Sequence, residues 1–278
     1  MKKILCPIDF SEVSLNALEF AVAIAEKENS SITLLNIFSP EDFDKILEKE
    51  HVKEEYEKLQ EIAESKLKAI AEEIMLMSKK KLSSCKHMLK SGEIVDVLKD
   101  LSDEEKYDLI IMGTTGHSAY ERKYLGGKAE QIIHATHCSV MCVPQDHTFH
   151  GIEHIVYATD YQEEDKLAIQ QISQLSTVLD ARVTVLHVSH HNDAIDKAIY
   201  EQFREELSHF VGDNINIAFK RVIFHHVSEG IDDYMKQMKA DLLVLLNKKQ
   251  NFLKILFHTS LIDHLDKFTE YPLMIIKL

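Results

Sequence analysis

The chain has 278 residues, enough for one large domain or two of ordinary size, and its 45% hydrophobic and 28% charged residues describe a soluble globular protein. A formal net charge of −14, from 32 basic and 46 acidic residues, argues against a nucleic-acid groove or an anionic membrane surface as partner. No stretch approaches the roughly 18 apolar residues that cross a bilayer, and the apolar run after Met1 is too short for a secretion signal, so a cytoplasmic protein is expected.

Lys2 to Phe10 reads as a buried first strand with Asp9 at its carboxyl tip. Ser11 suits an N-cap, with Glu12 in the first turn, for a helix carrying Leu15, Leu18, Val22 and Ala25 on one face and closing at Asn29-Ser30. Ile32 to Phe38 is a second strand, ended by Pro40. A long charged helix is predicted from about Glu41 to Lys81, with an apolar stripe of Val52, Tyr56, Leu59, Ala63, Leu67, Ile70, Ile74 and Met77. Its opposite face of Glu and Lys is a solvated surface. Lys86 to Leu89 is a weak third strand, and Ser91-Gly92 leads into a helix bearing Ile94, Val97, Leu98 and Leu101. Leu109 to Met112 and Val140 to Val143 are the fourth and fifth strands. Strands alternating with helices predict a parallel sheet covered on both faces. Cys6, Cys85, Cys138 and Cys142 all lie in this half, three of them in apolar runs, the pattern of buried free thiols in a reducing compartment.

Between the fourth and fifth strands the glycines gather. The chain has only 8, and Gly113, Gly116, Gly126 and Gly127 fall within fifteen positions. A helix opening at Lys128, with Ala129, Ile132 and Ile133 on one side, directs free N–H groups and a positive dipole end back at that loop. Strand, glycine loop and helix N-terminus form an anion site, most often for phosphate. An ordinary but long strand–helix connection is the other reading.

The spacing Gly-x2-Gly-x9-Gly at Gly113, Gly116 and Gly126 resembles the nucleotide signature of ATP-binding universal stress proteins. So do its surroundings, from Cys6-Pro-Ile-Asp9-Phe-Ser to His137-Cys-Ser-Val-Met-Cys-Val-Pro144. The resemblance is clear over residues 1–146 and weaker over 147–278. One position departs: the hydroxyl residue that follows the third glycine in the family is Gly127 here. The resemblance implies ATP, with or without magnesium, with Asp9 and Ile37 at the nucleoside and Met112 and Gly113 beside the ribose. Gly116, Gly126 and Gly127 then surround the phosphates. Apart from the resemblance, Lys128 with Arg122 or Lys123 offers charge in place of the missing hydroxyl, and His117 and Ser118, directly after Gly116, offer donors to phosphate, though each of these residues equally suits an exposed loop. Asp9 is equally suited to cap a helix. The resemblance also implies that two units pair through their fifth strands as a pseudo-dimer, that whole chains form homodimers, and that an unnamed protein partner responds to the nucleotide.

Other phosphate motifs do not fit. Gly127-Lys128 is followed by Ala129 where a P-loop needs Ser or Thr, and no Gly-x-Gly-x-x-Gly follows the first strand. No nucleophile, base and orienter stand together in the sequence, so no dedicated enzyme is expected, at most slow ATP hydrolysis.

The pattern then starts again. Ile155-Val-Tyr-Ala-Thr-Asp160 repeats Ile4-Leu-Cys-Pro-Ile-Asp9, and Val183-Thr-Val-Leu-His187 repeats Ile32-Thr-Leu-Leu-Asn36, both 151 residues on. Ala240-Asp-Leu-Leu-Val-Leu-Leu246 repeats Tyr107 to Gly113, and Tyr271-Pro-Leu-Met-Ile-Ile repeats Cys138 to Val143, now 133 residues on. The second copy has thus lost 18 residues, assigned mostly to the long second helix. The expected fold is α/β: two tandem flavodoxin-like (adenine nucleotide alpha hydrolase-like) units, residues 1–146 and 147–278, each a five-stranded parallel sheet with helices on both faces. In the second copy the stretch from Asn247 to Ile262 carries no glycine, so it is not expected to hold ATP in the same manner. His187, His190, His191 and His225 offer imidazoles near strand ends, but their spacing matches no standard zinc site. Three functions stay in play: a nucleotide-responsive stress regulator or protective factor, an interaction scaffold without nucleotide, and a small-ligand or metal sensor in the second copy.

Overall fold

In a computed structural model, which describes residues 2–38, 52–79, 81–114, 127–211, 216–247 and 270–278, Lys3–Pro7 forms β1, and its last four residues are buried without a break. A strand buried on consecutive residues has to be covered on both faces. β1 lies between β2 (Ser31–Phe38) and β4 (Leu109–Gly113), both parallel to it. β3 (Ser84–Ser91) extends the sheet beyond β2 through eight register pairs, and β5 (Ser139–Val143) extends it beyond β4. The order β3-β2-β1-β4-β5 reverses direction between β1 and β4, which opens a crevice beyond their carboxyl ends.

The helices follow from caps and apolar spacing. α1 (Glu12–Glu28) starts where the Ser14 N–H donates to Ser11 Oγ at 3.2 Å and stops at Asn29 in the left-handed conformation, φ 53°. It buries Val13, Ala17, Phe20, Ala21 and Ile24, whereas Leu15, expected on that face, is 39% exposed. α2 (Val52–Met77) buries Ala63, Leu67, Ala71 and Ile74. Leu59 and Met77, both in the predicted stripe, are 40% and 73% exposed. A helix of 26 residues is about 39 Å long, whereas an eight-residue strand covers about 26 Å, so its ends overhang the sheet. The first part of the helix predicted from Glu41 lies outside the described residues, and its end comes at Met77 rather than Lys81. α3 (Ile94–Glu104) and α4 (Gly127–Ala135) pack against each other.

A second unit repeats the scheme, with residues 1–149 and 150–278 separating into two bodies. Its strands are β6 (His154–Ala158), β7 (Arg182–Ser189), β8 (Ile217–Ile223), β9 (Leu242–Leu246) and β10 (Leu273–Ile276). They are parallel in the order β10-β9-β6-β7-β8, the mirror listing of the first order. α5 (Asp165–Leu179), α6 (Ala194–Val211) and α7 (Val227–Met238) correspond to α1, α2 and α3. Within the described residues α2 and α6 are 26 and 18 residues long, so eight of the 18 missing residues fall in this helix pair. The repeat extends to single bonds. Asp108 Oδ2 accepts the N–H groups of Lys2 and Lys3 at 2.6 and 2.9 Å; Asp241 Oδ2 accepts those of Glu153 and His154 at 2.8 and 2.9 Å.

Candidate functional site

The candidate site is the carboxyl end of β1 and β4 in the first unit. Past Pro7 the backbone is pinned to β2: the Ile8 N–H donates to Leu35 O at 2.7 Å, and Asn36 Nδ2 donates to Ile8 O at 2.7 Å. Asp9 follows, then Phe10 at φ 64°. Asp9 Oδ1 accepts the Ser11 N–H at 3.0 Å and the Ser11 hydroxyl at 2.5 Å, and Ser11 in turn caps α1. Asp9 therefore supports the helix cap from the strand tip. Phe10 lies under Lys66 of α2, with Nζ 5.3 Å from the ring centroid, a cation–π contact the sequence did not signal. Ile37 sits near the end of β2, opposite Lys90 of β3.

On β4, Met112 is buried and pairs with Cys142, and Gly113 pairs with Val143. The strand alignment continues one residue further, where the Thr114 N–H donates to Val143 O at 3.0 Å. Gly113 has a packing reason of its own. A Cβ built there meets Val13 Cγ1 at 2.4 Å, so only glycine lets the first turn of α1 close onto the end of β4. Gly127 and Lys128 open α4 and are both exposed; no described atom lies within 4 Å of a Cβ built on Gly127. Gly116, His117, Ser118, Arg122, Lys123 and Gly126 lie outside the described residues. The parallel strands thus set Asp9, Ile37, Met112 and Gly113 at one end of the sheet.

The four cysteines are free; Cys6, Cys138 and Cys142 are buried and Cys85 is partly so. Burial pushes the Cys142 thiol up to about 12 and Cys85 up to about 11, which leaves neither a reactive thiolate.

The same end of the second unit is built differently. His187 stands where Asn36 does and donates from Nδ1 to Thr159 O at 2.9 Å. Tyr161 stands where Phe10 does, at φ 63°, and stacks on His187 with centroids 3.7 Å apart and planes 19° apart. Phe203 of α6 packs on Tyr161 as well, with centroids 4.8 Å apart and planes tilted by 44°. In the repeat, Leu246 takes the place of Gly113 and Glu164 that of Val13. Asp165, 1% exposed, accepts the Tyr157 hydroxyl at 2.6 Å, the Thr159 hydroxyl and the Gln162 N–H at 2.8 Å. Burial and the Asp165 carboxylate raise the Tyr157 phenol well above its ordinary pKa, so it remains the donor. Neither residue was marked by any motif.

The histidines offered as metal ligands do not converge. Among the described residues no group of three or more His, Cys, Asp or Glu side chains is arranged to hold a metal. His187 Nδ1 is committed to Thr159, while His190, His191 and His225 are exposed. His191 contributes only its carbonyl, which accepts from Arg221 Nη2 at 2.7 Å. Arg221 ties β8 to Ser189 at the end of β7 and to Asp196 in the first turn of α6. Among the described residues no helix is long and apolar enough to cross a membrane.

The description "Universal stress protein family" matches residues 1–144 and again 151–277. The chain belongs to the universal stress protein family. It is a tandem universal stress protein, with one family domain in each unit. A universal stress protein of Methanocaldococcus jannaschii is 33% identical over 149 residues, covering 51% of this chain and 81% of that one. One from Synechocystis is 26% identical over 157 residues, covering 51% and 96%. The crystal structure of a universal stress protein from Archaeoglobus fulgidus superposes with a TM-score of 0.74, at 17% identity, over 99% of this chain and 96% of that chain. A putative universal stress protein from Pseudomonas aeruginosa gives 0.64 at 13% identity, over 100% and 93%. At such identities the two structures share the fold of this universal stress protein.

Proposed function

We propose that the first unit binds an adenine nucleotide, ATP with or without magnesium, and that occupancy regulates a protein partner under stress. The observation that carries this reading is the reversal of strand order between β1 and β4. Asp9 and Gly113 stand at the adjacent strand ends, and the Gly-x2-Gly-x9-Gly connection leads from one of them into the N-terminus of α4. Asp9 is held by Ser11 with its carboxylate at the strand tip, so a ribose hydroxyl arriving there meets a fixed acceptor. Gly127 supplies an N–H but no hydroxyl to a phosphate oxygen, and Lys128 adds charge beside it. No dedicated catalysis belongs to this reading. The second unit, with Leu246 in place of Gly113, takes no part in it.

Gly116→Val tests the reading. A branched side chain in the loop blocks close approach of a phosphate, so ATP binding is lost while circular dichroism and thermal unfolding stay as in the unaltered protein. Unchanged affinity in a folded variant would sink it. The rival, an interaction scaffold without nucleotide, is favoured by one observation, the missing hydroxyl at Gly127. It expects no effect of ATP on any assembly.

A further inference from the structure

The amino end of the second unit's sheet holds a histidine that the nucleotide reading does not use. His154 opens β6 and is 2% exposed. Arg182 Nη2, from the first residue of β7, donates to His154 Nδ1 at 3.2 Å. A guanidinium has no acceptor, so Nδ1 must carry a lone pair. The ring proton is therefore on Nε2, which donates to Thr184 Oγ1 at 2.9 Å. The partners fix a neutral ring in one tautomer.

The other groups facing this ring are few. The Met238 carbonyl, at the end of α7, and the Asp241 carboxylate, just before β9, both favour a charged imidazole. Burial and the Arg182 guanidinium oppose it and prevail, holding the His154 pKa below its ordinary value. Asp241 is itself occupied by the N–H groups of Glu153 and His154.

The first unit has Lys3 at the corresponding position. Its Nζ donates to Glu105 O at 2.9 Å and lies 3.7 Å from the Glu105 carboxylate, with both side chains half exposed. Of the ordinary side chains only histidine changes charge between about pH 5 and 8. The joint is thus built on a histidine in one unit and on a lysine in the other.

We propose that this joint makes the second unit the acid-labile half of the protein. A proton arriving at Nδ1 removes the acceptor that Arg182 uses and sets the buried His154 ring, now charged, against the exposed Arg182 guanidinium. The sign follows from the geometry: the opened chain takes up the proton at the ordinary histidine pKa, about 6.5, and the folded joint only at lower pH. Stability of the second unit is full above about pH 6.5 and falls as pH drops below it, by up to tenfold in the opening constant per pH unit for one histidine. His187 acts in the same direction. Burial lowers its pKa, with Arg221 of β8 adding to this, against Asp196 of α6, Asp160 and the Thr159 carbonyl.

Hydrogen exchange of the full chain, resolved by peptide and corrected for the intrinsic pH dependence of exchange, tests this at about pH 7.5 and 5.5. Peptides from β6, β7 and β9 are expected to open more at the lower pH, by up to about tenfold for each of the two histidines, relative to peptides from β1, β2 and β4. His154→Gln keeps a donor toward Thr184 and removes the titration, so its acid response should weaken by up to tenfold per pH unit. Should that variant not fold, Arg182→Gln serves: without the guanidinium the ring titrates nearer its ordinary pKa, and the acid response shrinks. Parallel loss of protection in both units, or a full acid response in either folded variant, overturns the proposal.

Discussion

Asn36 and His187 stand 151 residues apart and make the same bond, each donating to the carbonyl just past the central strand of its unit. Asn36 reaches Ile8 O at 2.7 Å and His187 reaches Thr159 O at 2.9 Å. An amide and an imidazole have little shape in common, so what the duplication kept is a donor at that height above the sheet. The bond holds the tip of the central strand against its neighbour, where the first unit presents Asp9.

Asn36→Ala removes that donor from a site only 7% exposed and leaves the Ile8 carbonyl short of a partner. A loss of about 1–3 kcal/mol is expected in urea unfolding, the cost of an unsatisfied buried acceptor. A change under about 0.5 kcal/mol would mean that the strand tip is held by other contacts.

Gly113→Ala forces a methyl group to within 2.4 Å of Val13 Cγ1. Overpacking of this kind costs about 1–3 kcal/mol. The double variant with Val13→Ala should recover part of it, because the nearest remaining atoms are the backbone carbon and Cβ of residue 13, both at 3.2 Å. Additive losses in a double-mutant cycle would show that the glycine is not there for α1.

Gly127→Ser restores the hydroxyl that follows the third glycine in the family, at a position with no described atom within 4 Å of the new Cβ. The fold should be unaffected. If phosphate sits at α4, ATP affinity rises about fivefold, the equivalent of about 1 kcal/mol for one added hydrogen bond. Calorimetry showing unchanged affinity would place the phosphates elsewhere.

Tyr157→Phe keeps the ring, which is fully buried, and takes one donor from the Asp165 carboxylate, leaving the Thr159 hydroxyl and the Gln162 N–H. Hydrogen bonds to a charged group contribute about 1.5–3 kcal/mol, and the loss should appear in the second unit's strands alone in hydrogen exchange. Equal weakening of both units would show that Asp165 does not act locally.

Much of the fold is legible because its signals are local. The buried strands read as unbroken apolar runs, the pause after β1, β4 and β5 is marked by Asp9, Gly113 and Pro144, and the duplication shows as two constant offsets. The α1 face is a narrower case: Leu15 and Val13 are equally apolar, and only the strand beneath decides that Val13 goes inward. Side-chain partnerships across the sheet left no such trace. Gly113 could be read as part of a phosphate loop, yet its near contact is Val13, a hundred residues earlier in the chain. His187 belongs with Asn36 in an aligned segment, but a run of neighbouring histidines drew attention to metal instead. Tyr157, Asp165, His154 and Arg182 have no period or motif, because each is defined by partners on another strand or helix.

The most direct measurement is a calorimetric titration of ATP and magnesium into the full chain. One nucleotide per chain is expected, with binding lost in Gly116→Val and kept in Tyr157→Phe. No heat of binding, or two equivalent sites per chain, would contradict a nucleotide held by the first unit alone.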